Sequence, residues 1–311
     1  MDYRVAILIP CFNEEKTIGK VIKDFLKFED EIDAIYVYDN NSSDSSANII
    51  KSFETTKVKY SFVEKQGKGY VVKRMFQEIE ADFYILIDGD DTYPAGFYQK
   101  LLKPIREEKY DMVVGDRLSS NYHQENTRKF HSFGNNLVKK IINSLFKSNI
   151  KDTMSGYRAF NRRFVKLLPI LSDGFEVETE MTILALDYEY KIKEIPINYK
   201  DRIEGSNSKL NTYKDGFKVL KTIFILFKDF KPFEFFSFLA AIFLFCFLAL
   251  FVPVFIEFIK TGLVPRFPSL IMSICFAIFS ISFFNLGIVL SVIIKNSKRS
   301  RKQFLLNYKD N

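Results

Sequence analysis

The sequence predicts an α/β domain built on a mainly parallel sheet, followed by a smaller membrane domain of two helices. Three observations carry that reading. Short β-rich runs alternate with amphipathic helical stretches through the first half, the βαβα order that gives a parallel sheet with helices on both faces. Polar and acidic clusters stand directly after successive apolar runs. Beyond about residue 230, charged residues give way to Phe-rich apolar runs, in a chain of 311 residues that holds 34 Phe and no Trp.

Taken in order, Arg4–Ile9 reads as the first strand, and Glu15–Lys27 as a helix whose apolar face carries Ile18, Val21, Ile22 and Phe25. Val5–Ile9 is too short for the apolar core of a signal peptide and leads into a polar turn. Ala34–Tyr38 is the second strand, with Asp44 placed to cap the helix after it. Val58–Val63 is the third, followed by a helix from about Lys68 to Ile79. Phe83–Ile87 is the fourth and is apolar throughout, as a strand covered on both faces should be. Asp111–Val114 is the fifth. Open parallel sheets bind ligands beyond the carboxyl ends of their strands, so the residues there matter most.

Asp201–Leu210 is polar with Gly and Ser, and reads as a flexible loop. In Tyr213–Phe230, Phe217, Leu220, Phe224 and Phe227 recur at helical spacing beside Lys214, Lys218, Lys221 and Lys228. That pattern suits a helix lying in a membrane interface, with packing against the α/β domain as the alternative. Phe235–Ile256 and Phe267–Ile294 carry no charge. Each exceeds the roughly 20 apolar residues a helix needs to cross a bilayer core.

Lys228 and Lys231 precede the first run, and Lys295, Lys298, Arg299, Arg301 and Lys302 follow the second. Between the runs stand Lys260 and Arg266, with Glu257 beside them, so both ends are expected on the cytoplasmic side. The domains are therefore 1–212, an interfacial helix at 213–231, and a membrane domain at 232–311 with spans at about 235–256 and 267–294 and a basic tail. The formal net charge of +7 suits anionic lipid head groups. Nucleic acid is not an expected partner, because no recognised nucleic-acid-binding motif occurs. Cys11, Cys246 and Cys275 lack metal-ligand spacing and read as packing residues. His123 and His131 likewise have no partner at ligand spacing.

Asp88-Gly89-Asp90-Asp91-Thr92-Tyr93-Pro94 follows the fourth strand directly. Three carboxylates at one strand end repel each other without a cation, and hard oxygen ligands suit Mg²⁺ or Mn²⁺ bridging to a diphosphate. An acidic turn capping the next helix is the competing reading. Pro10-Cys11-Phe12-Asn13-Glu14-Glu15 closes the first strand and Asp39-Asn40-Asn41-Ser42-Ser43-Asp44 the second. Each alone is an ordinary turn, but three polar sites on neighbouring strand ends make a bed for a nucleotide.

With those pieces in order, the chain resembles family 2 glycosyltransferases of the Rossmann-like GT-A fold, close to dolichyl-phosphate mannose synthases and undecaprenyl-phosphate sugar transferases. The matching motifs run from about residue 4 to 216 and include Gly67-Lys68-Gly69, Gly115-Asp116-Arg117, Asp152–Arg158, Gly174–Glu180 and Gly205–Leu210. The resemblance implies a catalytic domain in which Pro10, Asn13, Glu14, Asp39, Asn41 and Lys68 hold the nucleotide. Asp88 and Asp90 would meet diphosphate and metal. Thr92 stands where the synthases have Gln, which makes Asp91 a further metal candidate. Gly67-Lys68-Gly69 is not a Walker A loop, lacking its spacing and the Ser or Thr after Lys.

The implied reaction is inverting transfer of a sugar from a UDP- or GDP-linked donor to a polyprenyl phosphate. A phosphate monoester with a second pKa of about 6 is already a nucleophile at neutral pH. No general base is then required. Cationic side chains must meet the acceptor phosphate, and Arg117 and Arg128 are the candidates, with the Ser208 hydroxyl as a further neutral contact to it. Arg202 and Lys209, in the loop expected to close over the phosphates, join Asp90 and Arg117 as candidate catalytic residues. Glu176 and Glu178, of the alternating Glu176, Glu178 and Glu180, are candidates for the donor sugar's hydroxyls, with a solvated helix start as the equal alternative. A processive polysaccharide synthase is the rival enzyme, but its Gln-x-x-Arg-Trp motif is missing. A non-catalytic nucleotide-sugar-binding subunit is the rival of another class. The resemblance also allows a homo-oligomer assembled through the spans.

Overall fold

The computed structural model describes residues 3–117, 129–174, 176–200, 224–225 and 227–307. It divides into two compact units, residues 1–220 and 221–311.

In the first unit, apolar runs become strands and amphipathic runs become the helices covering them. The strands are β1 (Val5–Cys11), β2 (Ala34–Asp39), β3 (Val58–Phe62), β4 (Phe83–Leu86), β5 (Met112–Asp116), β6 (Arg158–Asn161) and β7 (Ile192–Pro196). Among the described residues they form one sheet in the order β3-β2-β1-β4-β6-β5-β7. β1 lies parallel between β2 and β4, with Ile7 opposite Ile35 and Ile85 and Cys11 opposite Asp39. β6 runs antiparallel to both β4 and β5, and β7 pairs parallel with β5.

The five strands read from the pattern are present, with β1 extended to Cys11 and β5 to Asp116. β6 and β7 are the two that the pattern did not single out. β6 is four residues long and opens with Arg158, while β7 is an edge strand with Lys193, Glu194 and a closing proline. Short strands bearing charge lack the apolar run or alternation that identifies a strand locally.

The helices are α1 (Ile18–Leu26), α2 (Ser46–Ser52), α3 (Lys68–Glu78), α4 (Tyr98–Glu108), α5 (Lys129–Phe146), α6 (Arg162–Leu167) and α7 (Val177–Asp187). α1 buries Ile18, Val21, Ile22 and Phe25, the face its spacing indicated. Asp44 accepts from Ser46 N at the start of α2 (2.9 Å), as a capping carboxylate does.

The second unit holds α8 (Pro232–Thr261) and α9 (Phe267–Asn307). Both are long and apolar enough to cross a bilayer. α9 continues as helix through the basic stretch after Ile294. Gly262, at φ 68, ends α8 by donating to Phe258 O (2.8 Å), a left-handed cap that suits glycine. Small residues bring the helices together: Gly287 faces Phe236, and Ser280 Oγ donates to Ala240 O (2.9 Å). Phe243 packs on Phe276, Phe279 and Phe283, while Phe238 and Phe245 are exposed. The interfacial helix expected at 213–231 falls mostly outside the described residues; 224–225 and 227–230 are helical.

Candidate active site

The carboxyl ends of β1, β2 and β4 and the start of α3 converge on one polar region. Asn13 (φ 53) and Asn41 (φ 61) take the left-handed backbone that Asn tolerates, and both turn the chain sharply at a strand end. Asn13 Oδ1 accepts from Ser43 N (2.8 Å) and its own N–H donates to Ser42 Oγ (2.9 Å), joining the first two strand-end loops. Glu14 N donates to Ser46 Oγ (2.8 Å), and Asn41 Nδ2 to Glu64 O (3.2 Å). Pro10 lies within β1, paired to Tyr38. Asn40, not singled out by motif, is the buried hub. Its Nδ2 donates to Lys65 O (2.8 Å), and its Oδ1 accepts from Gly67 N (2.7 Å).

Asp39 is 1% exposed, and its Oδ2 accepts from Ser42 N (3.3 Å). Its Oδ1 is buried with no hydrogen-bond partner among the described residues. A buried acceptor left unsatisfied is costly, so this oxygen at a strand end is a candidate acceptor for a donor from outside the described residues.

The Asp88–Thr92 turn corrects one premise drawn from sequence. Its carboxylates do not stand together awaiting a cation, because lysines already meet two of them. Lys68 Nζ donates to Asp88 Oδ1, and Lys20 Nζ to Asp91 Oδ2. Asp91 (φ 59) therefore turns toward α1, while Asp90, 4% exposed, accepts from Thr92 Oγ1 (2.6 Å) and Thr92 N (3.2 Å) at the same oxygen. Thr92 thus orients Asp90 in a local side-chain turn. No cluster of three or more metal-ligating side chains occurs among the described residues. The donor set fits a cation held by one or two carboxylates and completed by a substrate diphosphate, the usual manner of Mg²⁺, rather than an all-protein cage.

Lys68 sits between glycines for a steric reason. A Cβ on Gly69 would stand 2.1 Å from Ser172 O, and Gly67 (φ 140) closes on Asp173 O. The lysine bridges Asp88 to Glu178 on α7. Burial by itself lowers its pKa, but the two carboxylates outweigh that and hold it above the ordinary lysine range. Burial keeps the Glu178 carboxyl raised in spite of Lys68. Glu178 and Glu180 are 4% and 7% exposed, so the start of α7 is not a solvated face. Glu180 accepts from Leu171 N (2.9 Å) and Ser172 N (2.8 Å), and Glu176 from Gly174 N (3.3 Å).

At the end of β5, Arg117 is gripped by Asp152 through Nε (2.8 Å) and Nη2 (3.0 Å) and lies over the Tyr199 ring (5.6 Å). Burial opposes ionisation of both, yet their attraction outweighs it: the Asp152 pKa is lowered and that of Arg117 raised. A bidentate pair of this kind fixes the direction of the guanidinium. The loop between Asp152 and β6 returns beside Asp88. A Cβ on Gly156 would come 2.3 Å from Asp88 Oδ2, and Gly156 N donates to Tyr93 Oη (3.1 Å). Fully buried Arg158 shapes that loop, donating to Ser155 O (2.8 Å) and Thr153 O (2.9 Å). Lys200 N donates to Thr92 O (2.9 Å), tying the segment after β7 to the acidic turn.

Arg128, Arg202, Ser208 and Lys209 lie outside the described residues. Lys20, Asn40, Asp152, Gly156 and Arg158 carried no assigned role in the sequence, although all but Lys20 belong to quoted motifs.

Residues 6–168 match the model of glycosyl transferase family 2. The chain is 32% identical over 213 residues to glycosyltransferase AglJ of Haloferax volcanii, covering 68% of this chain and 68% of that protein. The chain belongs to glycosyl transferase family 2. This family 2 glycosyltransferase is also 26% identical over 219 residues to a dolichyl-phosphate hexose transferase of H. volcanii, covering 70% of this chain and 92% of the relative. Glucosyl-3-phosphoglycerate synthase from Mycobacterium tuberculosis, crystallised with Mn²⁺, UDP and phosphoglyceric acid, superposes with a TM-score of 0.59 at 19% identity. That match covers 73% of this chain and 78% of the synthase, and it shows a shared GT-A fold alone.

Proposed function

We propose that this glycosyltransferase moves a sugar from a UDP- or GDP-linked donor onto a polyprenyl phosphate at the cytoplasmic face of a membrane, inverting the anomeric centre. The observation that carries the reading is the pair of bilayer-length apolar helices in the same chain as a family 2 catalytic unit. An enzyme anchored in this way has its acceptor concentrated in the membrane, and a lipid phosphate is such an acceptor. The named activity of the dolichyl-phosphate hexose transferase supports the same class. The positive flanks of both spans favour cytoplasmic ends.

The nucleotide would lie over Pro10, Asn13, Glu14, Asp39 and Asn41, with the orphaned Asp39 Oδ1 accepting from base or ribose. Asp90 and Asp88 would hold a divalent cation, Mg²⁺ or Mn²⁺. When bound, that cation offsets negative charge on the nucleoside diphosphate leaving group. Arg117, directed by Asp152, would meet the acceptor phosphate, with Arg128 and Ser208 as further candidates. A phosphate oxygen forms the new bond to the anomeric carbon, and the bond to the donor's β-phosphate oxygen breaks. Its electron pair leaves with the nucleoside diphosphate, and no proton changes hands. Glu176 would meet donor hydroxyls, while Glu178 acts through Lys68.

The test uses purified protein in detergent with polyprenyl phosphate, Mg²⁺ or Mn²⁺ and a panel of labelled UDP- and GDP-sugars. Label entering the organic phase with one donor, and vanishing with chelator, is the expected result. Polymer, or nucleotide hydrolysis without lipid product, would move a processive or hydroxyl-acceptor transferase ahead.

A further inference from the structure

Lys68 is the first residue of α3, and its side chain is 9% exposed. It pairs with Asp88 on one side and with Glu178, 5% exposed at the side chain, on the other. Gly156 backs the remaining oxygen of Asp88 so closely that no side chain fits between them. One of the two carboxylates suited to a divalent cation is thus already neutralised from within the protein. Without the lysine, the half-buried Asp88 and the buried Glu178 would be left as two like charges facing the space the ammonium vacated, with Arg158 offsetting only Glu178. Two carboxylates left without their counter-ion favour a divalent cation more than the lysine-paired site does.

We infer that Lys68 is a resident counter-ion that occupies Asp88 until the donor arrives, making divalent-cation binding conditional on the nucleotide's diphosphate. The inference rests on the divalent-cation reading above. A lone cation meets Asp90, whose Oδ1 already accepts from Thr92, and must displace an ammonium to reach Asp88. A diphosphate changes both terms. It brings the hard oxygens that the cation lacks, and it gives Lys68 a second anion to pair with. The site then loads donor and cation together instead of holding a cation at rest.

The test counts free Mn²⁺ by electron paramagnetic resonance during titration of the full chain in detergent, alone and with UDP or GDP. Two variants are compared, Glu178→Gln and the double Lys68→Gln/Glu178→Gln. Both lack the Glu178 charge, so their difference isolates the lysine. The double variant also leaves no buried lysine or glutamate unpaired, which protects folding. Wild type is expected to bind Mn²⁺ at least about tenfold more tightly with the accepted nucleotide than without. Nucleotide-free affinity should rise about tenfold in the double variant relative to Glu178→Gln.

Lys20→Gln, the same loss of charge beside Asp91, should leave it nearly unchanged. Equal nucleotide-free affinity in the two Glu178 variants, with nucleotide-linked Mn²⁺ binding intact, overturns the counter-ion role. A Lys20→Gln effect as large as that of Lys68 would reduce the lysine to net charge and overturn it too. No Mn²⁺ binding to wild type with either nucleotide instead overturns the cation reading itself, and the inference with it.

Discussion

The two halves of the sheet bring polar residues to the same region by different routes. In β3-β2-β1-β4 every strand is parallel, and each delivers its side chains within a few residues of its own end. In β6-β5-β7 the antiparallel β6 is inserted between β4 and β5, and the loop preceding it supplies the contacts. Arg117 meets Asp152 across 35 residues, and Gly156 meets Asp88 from further still. The charges differ as well. Asp91, in the parallel half, is met by a lysine whose side chain is 50% exposed, whereas Asp152 is buried beneath a bidentate arginine. Asp90 is met by a neighbouring threonine and Asp91 by that half-exposed lysine. Both are therefore expected to change with little effect on stability, unlike buried Asn40 and Lys68 of the same half. In the second half, function and stability should fall together.

The largest effect that sharpens this contrast belongs to Asp90→Ala. Sugar transfer should drop by about 10²–10³-fold or more while thermal unfolding stays near wild type. Transfer that survives would remove Asp90 from the donor site. Asp152→Asn comes next, because it strips the buried partner from Arg117. Chemical unfolding should show a loss of about 3 kcal/mol, the lower end for a broken buried pair since Arg117 reaches solvent, and transfer should fall with it. Unchanged stability would break the distinction between the halves.

Gly156→Ala probes their junction. Its new Cβ drives Asp88 aside, so the donor KM should rise about tenfold, at a stability loss of about 1–3 kcal/mol. An unaltered KM would mean that the position of Asp88 is immaterial to the donor. Asp91→Asn should do least. Asn keeps the left-handed turn at φ 59, and an exposed-side ion pair contributes about 0–1 kcal/mol, so transfer should stay within about twofold. A large rate loss with intact folding would return Asp91 to the cation's shell.

Much of the parallel half was legible in the sequence. Val5–Ile9, Ala34–Tyr38 and Phe83–Ile87 are runs that only a covered strand can use, and the acidic or amide turn after each follows from chain contiguity. The face of α1 and the two bilayer-length helices were read from periodicity and from absence of charge. The mixed half was not legible in the same way. Arg158 looks like a surface residue in any local window, yet it is fully buried because the carbonyls of Thr153 and Ser155 and the hydroxyl of Thr182 take its donors. Glu178 has the pattern of a helix start at the surface, and its burial is answered by Lys68 and by the charge of buried Arg158, neither of which a local window shows.

The sequence by itself determined the strand-ending carboxylates, the order of the βα units and the two apolar helices, because these depend on hydrophobic period and on neighbours along the chain. The tertiary structure decided which lysine answers which carboxylate, which glycine yields to Asp88, and which acid directs Arg117. Those pairings join residues far apart in sequence, and a pairing across space leaves no period in either segment to be read.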